Sequence, residues 1–235
     1  GNLTFSVISQ IPNDAFTIDL VSGKLKVLDK TLFNFDVNTK ISGIVEVRNG
    51  DITSFSNVTI NIKNVENVFN GYIKIETQTQ LESFATKNYD RINGSIVLIG
   101  KNIVNTDNLN SIKFIDGNII VLGTNIKNLD GFTNANLSND ATIQIVNNQN
   151  LENLNGLQNV TNRLMNLDIS NNPSINNIDG LKKISNITNE INISDTEYLT
   201  NLNGLIGIKY PVKFLTISNN SSIVDTNGLL NIPSI

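Results

Sequence analysis

Residues 143 to 229 repeat every 24 positions, and nothing else in the chain restricts its fold as strongly. Leu151, Ile175, Leu199 and Ile223 stand 24 apart, as do Val160, Ile184, Ile208 and Ile232. The triplets Ile143-Gln144-Ile145, Leu167-Asp168-Ile169, Ile191-Asn192-Ile193 and Leu215-Thr216-Ile217 keep the same step. Between them recurs a turn signature, Leu154-Asn155-Gly156-Leu157, Ile178-Asp179-Gly180-Leu181, Leu202-Asn203-Gly204-Leu205 and Asn227-Gly228-Leu229. A fixed period of this length marks a solenoid, in which each coil is one supersecondary unit stacked on the last. Looser copies precede it at Ile96–Ile99 with Leu109 and at Ile119–Leu122 with Leu129-Asp130-Gly131-Phe132, their spacing slipping to 23 and 25. Six coils are expected from residue 92 onward, a rod core roughly 30 Å long at ~4.8 Å per strand.

Three kinds of row follow from the register. The aliphatic rows fill the interior. Asn147, Asn171, Asp195 and Asn219 form a structural ladder in which each side chain bonds to the next coil. The Asn-Gly/Asp-Gly row is expected to be a turn where only glycine escapes the left-handed penalty. Asparagine, with 43 of 235 residues, suits turns repeated many times. The nine N-x-S/T matches follow from that abundance. Outward on the strands lie Gln144, Asp168, Asn192 and Thr216, which differ from coil to coil and for which packing gives no reason. They are the candidate ligand-binding residues, a polar strip suited to an extended sugar or peptide.

The first third alternates with period two: Leu3, Phe5 and Val7, then Phe16 and Ile18, Leu25 and Val27, Ile41 to Val47, and Val58 to Ile62. Short alternating runs separated by Gly, Asn, Asp and Pro read as a β-sandwich over residues 1–67. Residues 68–235 form the second domain, opening on the strand Tyr72-Ile73-Lys74-Ile75. A capping box at Thr79 and Glu82 starts a short amphipathic helix over about residues 79–88, with Leu81, Phe84 and Ala85 on one face and Asn88 as its left-handed stop. The helix covers the open first coil.

Composition excludes several functions. With 39% hydrophobic and 16% charged residues the chain is globular. A net charge of −4 without basic runs argues against nucleic acid, and no apolar stretch approaches the ~18 residues of a membrane span. Histidine and cysteine are both absent, which removes most zinc sites, the Ser-His and Cys-His nucleophile systems and the commonest general base. An enzyme would have to run on carboxylates, the candidates being Asp130, Asp168, Asp179, Asp195 and Glu197. Asp130 and Asp179 lie two coils apart, ~9.5 Å, within the range of inverting glycosidases. Asparagine replaces them at 155, 203 and 227, so turn formation accounts for both, and no catalytic residue is assigned.

Two resemblances add to this reading. Phe16-Thr17-Ile18-Asp19-Leu20-Val21-Ser22-Gly23-Lys24-Leu25 resembles the F-x-I-D-x-x-T-G-x-L stretch of cadherin repeats. Leu32 with Asn34-Phe35-Asp36, Val45-Glu46-Val47-Arg48-Asn49-Gly50 and Asn64-Val65-Glu66-Asn67 are similar to their later motifs. The resemblance implies a cadherin-like sandwich whose first strand is missing and a calcium site between domains. Asn34, Asn49, Asn64 and Asn67 stand where carboxylates are usual, leaving Asp36 and Glu66. The site is degraded, and no metal or cofactor is expected. Residues 68–235, about 70% of the chain, resemble the receptor L domain through their strand, capping helix, Ile92-Asn93-Gly94-Ser95-Ile96 and N-x-x-L-x-G-L units. That family implies a right-handed β-helix-type, leucine-rich solenoid used for extracellular binding without catalysis, and the absence of disulfides places the likeness in its bacterial branch.

The expected fold is therefore all-β, a partial cadherin/Ig-like sandwich followed by a right-handed β-helix-type solenoid with one capping helix. The expected function is a non-catalytic, monomeric adhesion module at a bacterial cell surface, binding a surface protein or polysaccharide. The alternative is a stalk or spacer of a larger surface protein, and a carbohydrate-active enzyme is the weakest reading. The chain opens on Gly1 rather than methionine and its last coil has no cap in the sequence, so a longer parent chain is expected.

Overall fold

The computed structural model describes residues 2–35, 37–63 and 65–233. The chain divides into two compact units, residues 1–65 and 66–235. It is mostly β, with parallel sheets of many strands.

In the first unit, β1 (Leu3–Ile11), β2 (Phe16–Ile18), β3 (Leu25–Val27), β4 (Lys40–Asn49) and β5 (Ile52–Asn61) follow in chain order. β1, β4 and β5 form an antiparallel sheet in the order β1-β4-β5, and β2 pairs with β3 in a separate hairpin. Alternation explains the core: Ile41 and Val45 of β4 are buried together with Ala15 and Phe16, and Val7, Val58 and Ile60 pack around them. Gln10 ties β1 to β2, its carbonyl accepting from Phe16 N at 2.9 Å and its amide donating to Phe16 O at 3.1 Å.

The second unit contains β6 (Val68–Asn70), β7 (Ile73–Ile75), the helix α1 (Gln78–Ala85), β8 (Arg91–Asn93), β9 (Ile96–Ile99), β10 (Phe114–Ile115), β11 (Ile119–Leu122), β12 (Asn136–Leu137), β13 (Ala141–Val146), β14 (Leu164–Ser170), β15 (Ile187–Ser194) and β16 (Phe214–Ser218). Seven strands make one parallel sheet in the order β16-β15-β14-β13-β11-β9-β7, and a smaller parallel sheet runs β12-β10-β8-β6. The step along the long sheet is regular. Ile73 pairs with Ile96 and Ile96 with Ile119, then Ile119, Ile143, Leu167, Ile191 and Leu215 pair in turn. The coils therefore number seven rather than six, because Ile73–Ile75, read as a strand beside the cap, is the first rung of the sheet.

Each coil buries the residues that the period places inside. Ile143, Leu151, Val160, Leu167, Ile175, Leu199 and Leu202 are inaccessible to solvent. At β16 the same inner row emerges: Ile191 is 0% exposed, its partner Leu215 43%. α1 packs on the first coil through Leu81, Phe84 and Ala85, the face read from the sequence, and Asn88 takes the left-handed conformation (φ 49°). Its capping box lies two residues upstream of the expected one. Thr77 is extended (φ −138°, ψ 155°) and its hydroxyl accepts from Gln80 N at 3.2 Å, while the Gln80 carbonyl accepts from Thr77 N at 3.2 Å. Thr79 lies inside the helix, where its backbone cannot serve as a cap.

Two rows do not play the roles expected of them. Gly131, Gly156, Gly180, Gly204 and Gly228 each sit in a single-turn 3-10 helix, and none has positive φ. They are glycine because a Cβ would overlap the backbone carbonyl of the preceding coil, Thr106, Leu129, Leu154, Ile178 and Leu202 respectively. Asn128, Asn153, Asn177, Asn201 and Asp225 start these turns, each side-chain oxygen accepting from the N–H two residues on at 2.8–3.2 Å. The left-handed residues are instead Asn147, Asn171, Asp195 and Asn219, with φ between 55° and 63°. They bond in pairs, Asn171 to Asn147 and Asn219 to Asp195, on the exposed corner of the coil.

The ladder that crosses the interior is one residue further on, at Asn148, Asn172, Thr196 and Asn220, with Thr124 before them. Asn148, Asn172 and Thr196 are fully buried. The left-handed residue turns the chain so that the next side chain points inward. Asn148 N and its amide donate to the Asn172 carbonyl oxygen at 2.9 and 3.1 Å. Thr124 and Thr196 hydroxyls donate to Asn148 and Asn220, each at 2.7 Å. Burying amides and hydroxyls is tolerable only because each finds such partners.

Candidate ligand-binding face

A residue between two inward-pointing neighbours on a strand must point outward. Strand register lines up Lys74, Val97, Ile120, Gln144, Asp168, Asn192 and Thr216 on the outer side of the long sheet. The four expected ligand-binding residues Gln144, Asp168, Asn192 and Thr216 thus lie side by side on four neighbouring strands. Three of them are bonded to one another. Asp168 accepts from the Gln144 amide at 3.4 Å and the Asn192 amide at 3.0 Å through different carboxylate oxygens. The expectation that packing gives no reason for any of the four is corrected at these three, because cross-strand bonding gives one. Thr216 is exposed on the edge strand.

The neighbouring outward row adds a second polar line. Thr142 N donates to the Asn118 carbonyl oxygen at 2.7 Å, and the Asn166 amide donates to the Thr142 hydroxyl at 3.0 Å. Over β9, β11 and β13 the same outer side is aliphatic instead. Val97, Ile99, Ile120, Leu122 and Val146 all point away from the core their strand neighbours fill; Val97 is nonetheless buried and the other four are half-buried. Sequence reading missed this half of the face. It was visible in the unbroken apolar runs Ile96–Ile99 and Ile119–Leu122, where strict alternation fails.

The carboxylates considered for catalysis fall on three separate surfaces. Asp130 and Asp179 begin exposed 3-10 turns, and Asp179 is paired with Lys182 at 2.9 Å. Asp168 is on the sheet face. Asp195 and Glu197 line a shallow corner groove with Asn171 and Asn219. Of the residues the cadherin-like pattern offers to calcium, Glu66 is bound to Arg91 at 3.1 Å, while Asp36 and Asn64 lie outside the described residues. Among the described residues no three His, Cys, Asp or Glu side chains cluster as a metal site. Among the described residues no helix is long and apolar enough to cross a membrane.

Charge pairs brace coils to each other. The Arg163 guanidinium grips Asp140 through both carboxylate oxygens, at 2.8 and 2.6 Å, and holds its carboxyl below the ordinary range. Arg91 bridges Glu66 and Asp116, at 3.1 and 2.8 Å, with its guanidinium carbon 4.3 Å from the Phe114 ring centre. No protein-family model matches this chain, and no curated protein or solved structure matches it either.

Proposed function

We propose that the chain is a non-catalytic binding module of a cell-surface protein, which recognises a protein or polysaccharide through the outer face of the seven-stranded sheet. The observation that carries this reading is the composition of that face. Ile99, Ile120, Leu122 and Val146, each half-buried, adjoin the polar strip Gln144, Asp168, Asn192 and Thr216, on strands whose inner residues already fill the core. An apolar patch rimmed by polar groups is how an interaction surface is built, and the aliphatic half weighs toward a protein ligand. The Asp168 carboxylate, fixed by two amides, offers that ligand a preset acceptor.

The resemblance to the receptor L domain supports the same reading. On it, residues 68–235 are a right-handed β-helix of that type and residues 1–67 a cadherin-like sandwich, and the location is the outside of a bacterial cell. Dispersal of the carboxylates over three surfaces weighs against catalysis. One observation favours a spacer instead: Gln144, Asp168 and Asn192 satisfy one another without any ligand.

The two readings separate in one experiment. Wild type, an Ile120→Asp variant and the variant with Lys at 144, 168, 192 and 216 are screened against glycan arrays and surface-protein libraries. Binding that both variants abolish supports the face. Ligands retained by the Lys variant and by Ile120→Asp place recognition elsewhere, and the spacer reading takes over.

A further inference from the structure

The long sheet has one edge that lies beside a helix. Among the described residues β7 pairs only with β9, and Ile73 N donates to Ser95 O at 3.0 Å. Bonding in a parallel ladder alternates along the strand, so the N–H and C=O of Lys74 point away from β9 toward the open edge. Across from that edge runs one side of α1. Strand and helix enclose an open groove of about 570 Å³, lined by Ile73, Lys74 and Ile75 on one side and by Ser83, Phe84 and Lys87 on the other. Phe84 is held edge-to-face by Phe69 at 5.4 Å and packs on Tyr89 at 5.1 Å, which makes the apolar wall a preformed one.

Charge singles out one kind of occupant. Two lysines and no carboxylate line this groove, in a chain whose net charge is −4. The Lys74 ammonium is drawn aside by Glu76 at 2.6 Å, whereas Lys87 has no ion pair among the described residues. A three-residue edge with α1 standing over it has room for one added strand and not for a second sheet.

We propose that this groove takes an extended peptide segment as an eighth strand of the sheet, with apolar side chains alternating with acidic ones. Its backbone bonds to the Lys74 N–H and C=O, its apolar side chains meet the half-buried Ile73 and Phe84, and its carboxylates face Lys87. This docking surface is independent of the binding face proposed above, and its test does not depend on that face.

A phage library of linear decapeptides is panned against the whole chain, and enriched peptides are measured by fluorescence anisotropy. Enriched sequences are expected to alternate apolar residues with Asp or Glu, and to protect the Lys74 amide from hydrogen exchange. Lys74→Pro removes the edge donor without touching the bonds to β9, and Ser83→Trp fills the groove from the helix side. Each is expected to weaken binding at least about tenfold, while Lys87→Glu shifts preference toward basic peptides. The variant with Lys at 144, 168, 192 and 216 should bind these peptides as wild type does. Failure to enrich any peptide, or unchanged affinity in Ser83→Trp with its circular dichroism intact, overturns the proposal.

Discussion

The α-carbon of Gly180 faces the carbonyl oxygen of Leu154 on the preceding coil, so closely that no Cβ fits between them. The oxygen cannot swing away, because the Leu157 N–H donates to it at 2.9 Å. The same approach recurs at Gly131, Gly156, Gly204 and Gly228. Gly180→Ala is expected to destabilise the second unit by at least ~3 kcal/mol, the upper end for a forced methyl, since a backbone carbonyl rather than a side chain must move. Gly50→Asn is the control: its left-handed φ of 62° suits asparagine and open space surrounds it, so its melting temperature should barely change.

Adjacent asparagines should behave very differently. The Asn172 amide donates to Ile145 O at 2.7 Å and Ser170 O at 3.0 Å, and its carbonyl accepts two bonds from Asn148. Asn172→Ala leaves those buried partners unpaired and should cost ~3 kcal/mol or more. Asn171→Gly keeps the left-handed turn and loses only an exposed bond to Asn147, for under ~1 kcal/mol. Denaturant midpoints of the two variants measure the difference.

The period carried most of the fold. It placed Ile143, Leu167, Ile191 and Leu215 in one row and Gln144, Asp168, Asn192 and Thr216 in another, because a 24-residue step and strand alternation are both written in the spacing of aliphatic residues. What the period could not carry was which member of a repeated pair does what. Asn147-Asn148 and Asn171-Asn172 repeat as pairs, and spacing alone does not say that the first turns the chain and the second enters the core. Repetition likewise marked Gly156 and Gly180 as obligatory without distinguishing a left-handed turn from a close backbone approach. The candidate face was half legible: its polar strip stood out against aliphatic neighbours, whereas Val97 and Ile120 were hidden among residues of the same kind.

The inside and outside of one sheet should differ in energy. Leu199 is 0% exposed in the stacked aliphatic row, and Leu199→Ala should cost ~2–5 kcal/mol through the cavity it opens. Asp168→Ala removes a partly exposed acceptor whose two amide donors can turn to water, and should cost under ~1 kcal/mol. Equal losses in a denaturant titration would contradict the assignment of faces.

Acid should loosen the second unit at the small sheet first. Burial pushes the Asp90 carboxyl up, but the Asn67 N–H and the Lys113 ammonium outweigh it and hold the group below its ordinary value of 3.8. A lowered folded value means this stabilisation is complete above the unfolded value, near 3.8, and is lost as pH falls through the lower folded one. Asp140, held down by Arg163, works in the same sense. Carboxyl chemical shifts should give both groups midpoints below those of ordinary aspartates. In Asp90→Asn, the acid limb of the melting-temperature profile should flatten.

The cap of the first coil rests on Thr77. An eight-residue helix is too short to persist in water by itself, so α1 depends on the burial of Leu81 and on its capping box. Thr77 supplies the hydroxyl that accepts from Gln80 N, and the Gln80 carbonyl in return accepts from Glu76 N at 2.7 Å and Thr77 N at 3.2 Å. Thr77→Ala removes the forward half of that exchange and should cost ~1 kcal/mol. Glu82→Ala, at the position the sequence suggested for the box, touches no capping bond and should be neutral. Because the loss is local, hydrogen exchange reads it better than global melting does. Amides of the helix, Leu81 and Thr86 among them, should exchange faster in Thr77→Ala, whereas those of β14 and β15 keep wild-type rates. Faster exchange in Glu82→Ala instead would return the cap to Thr79.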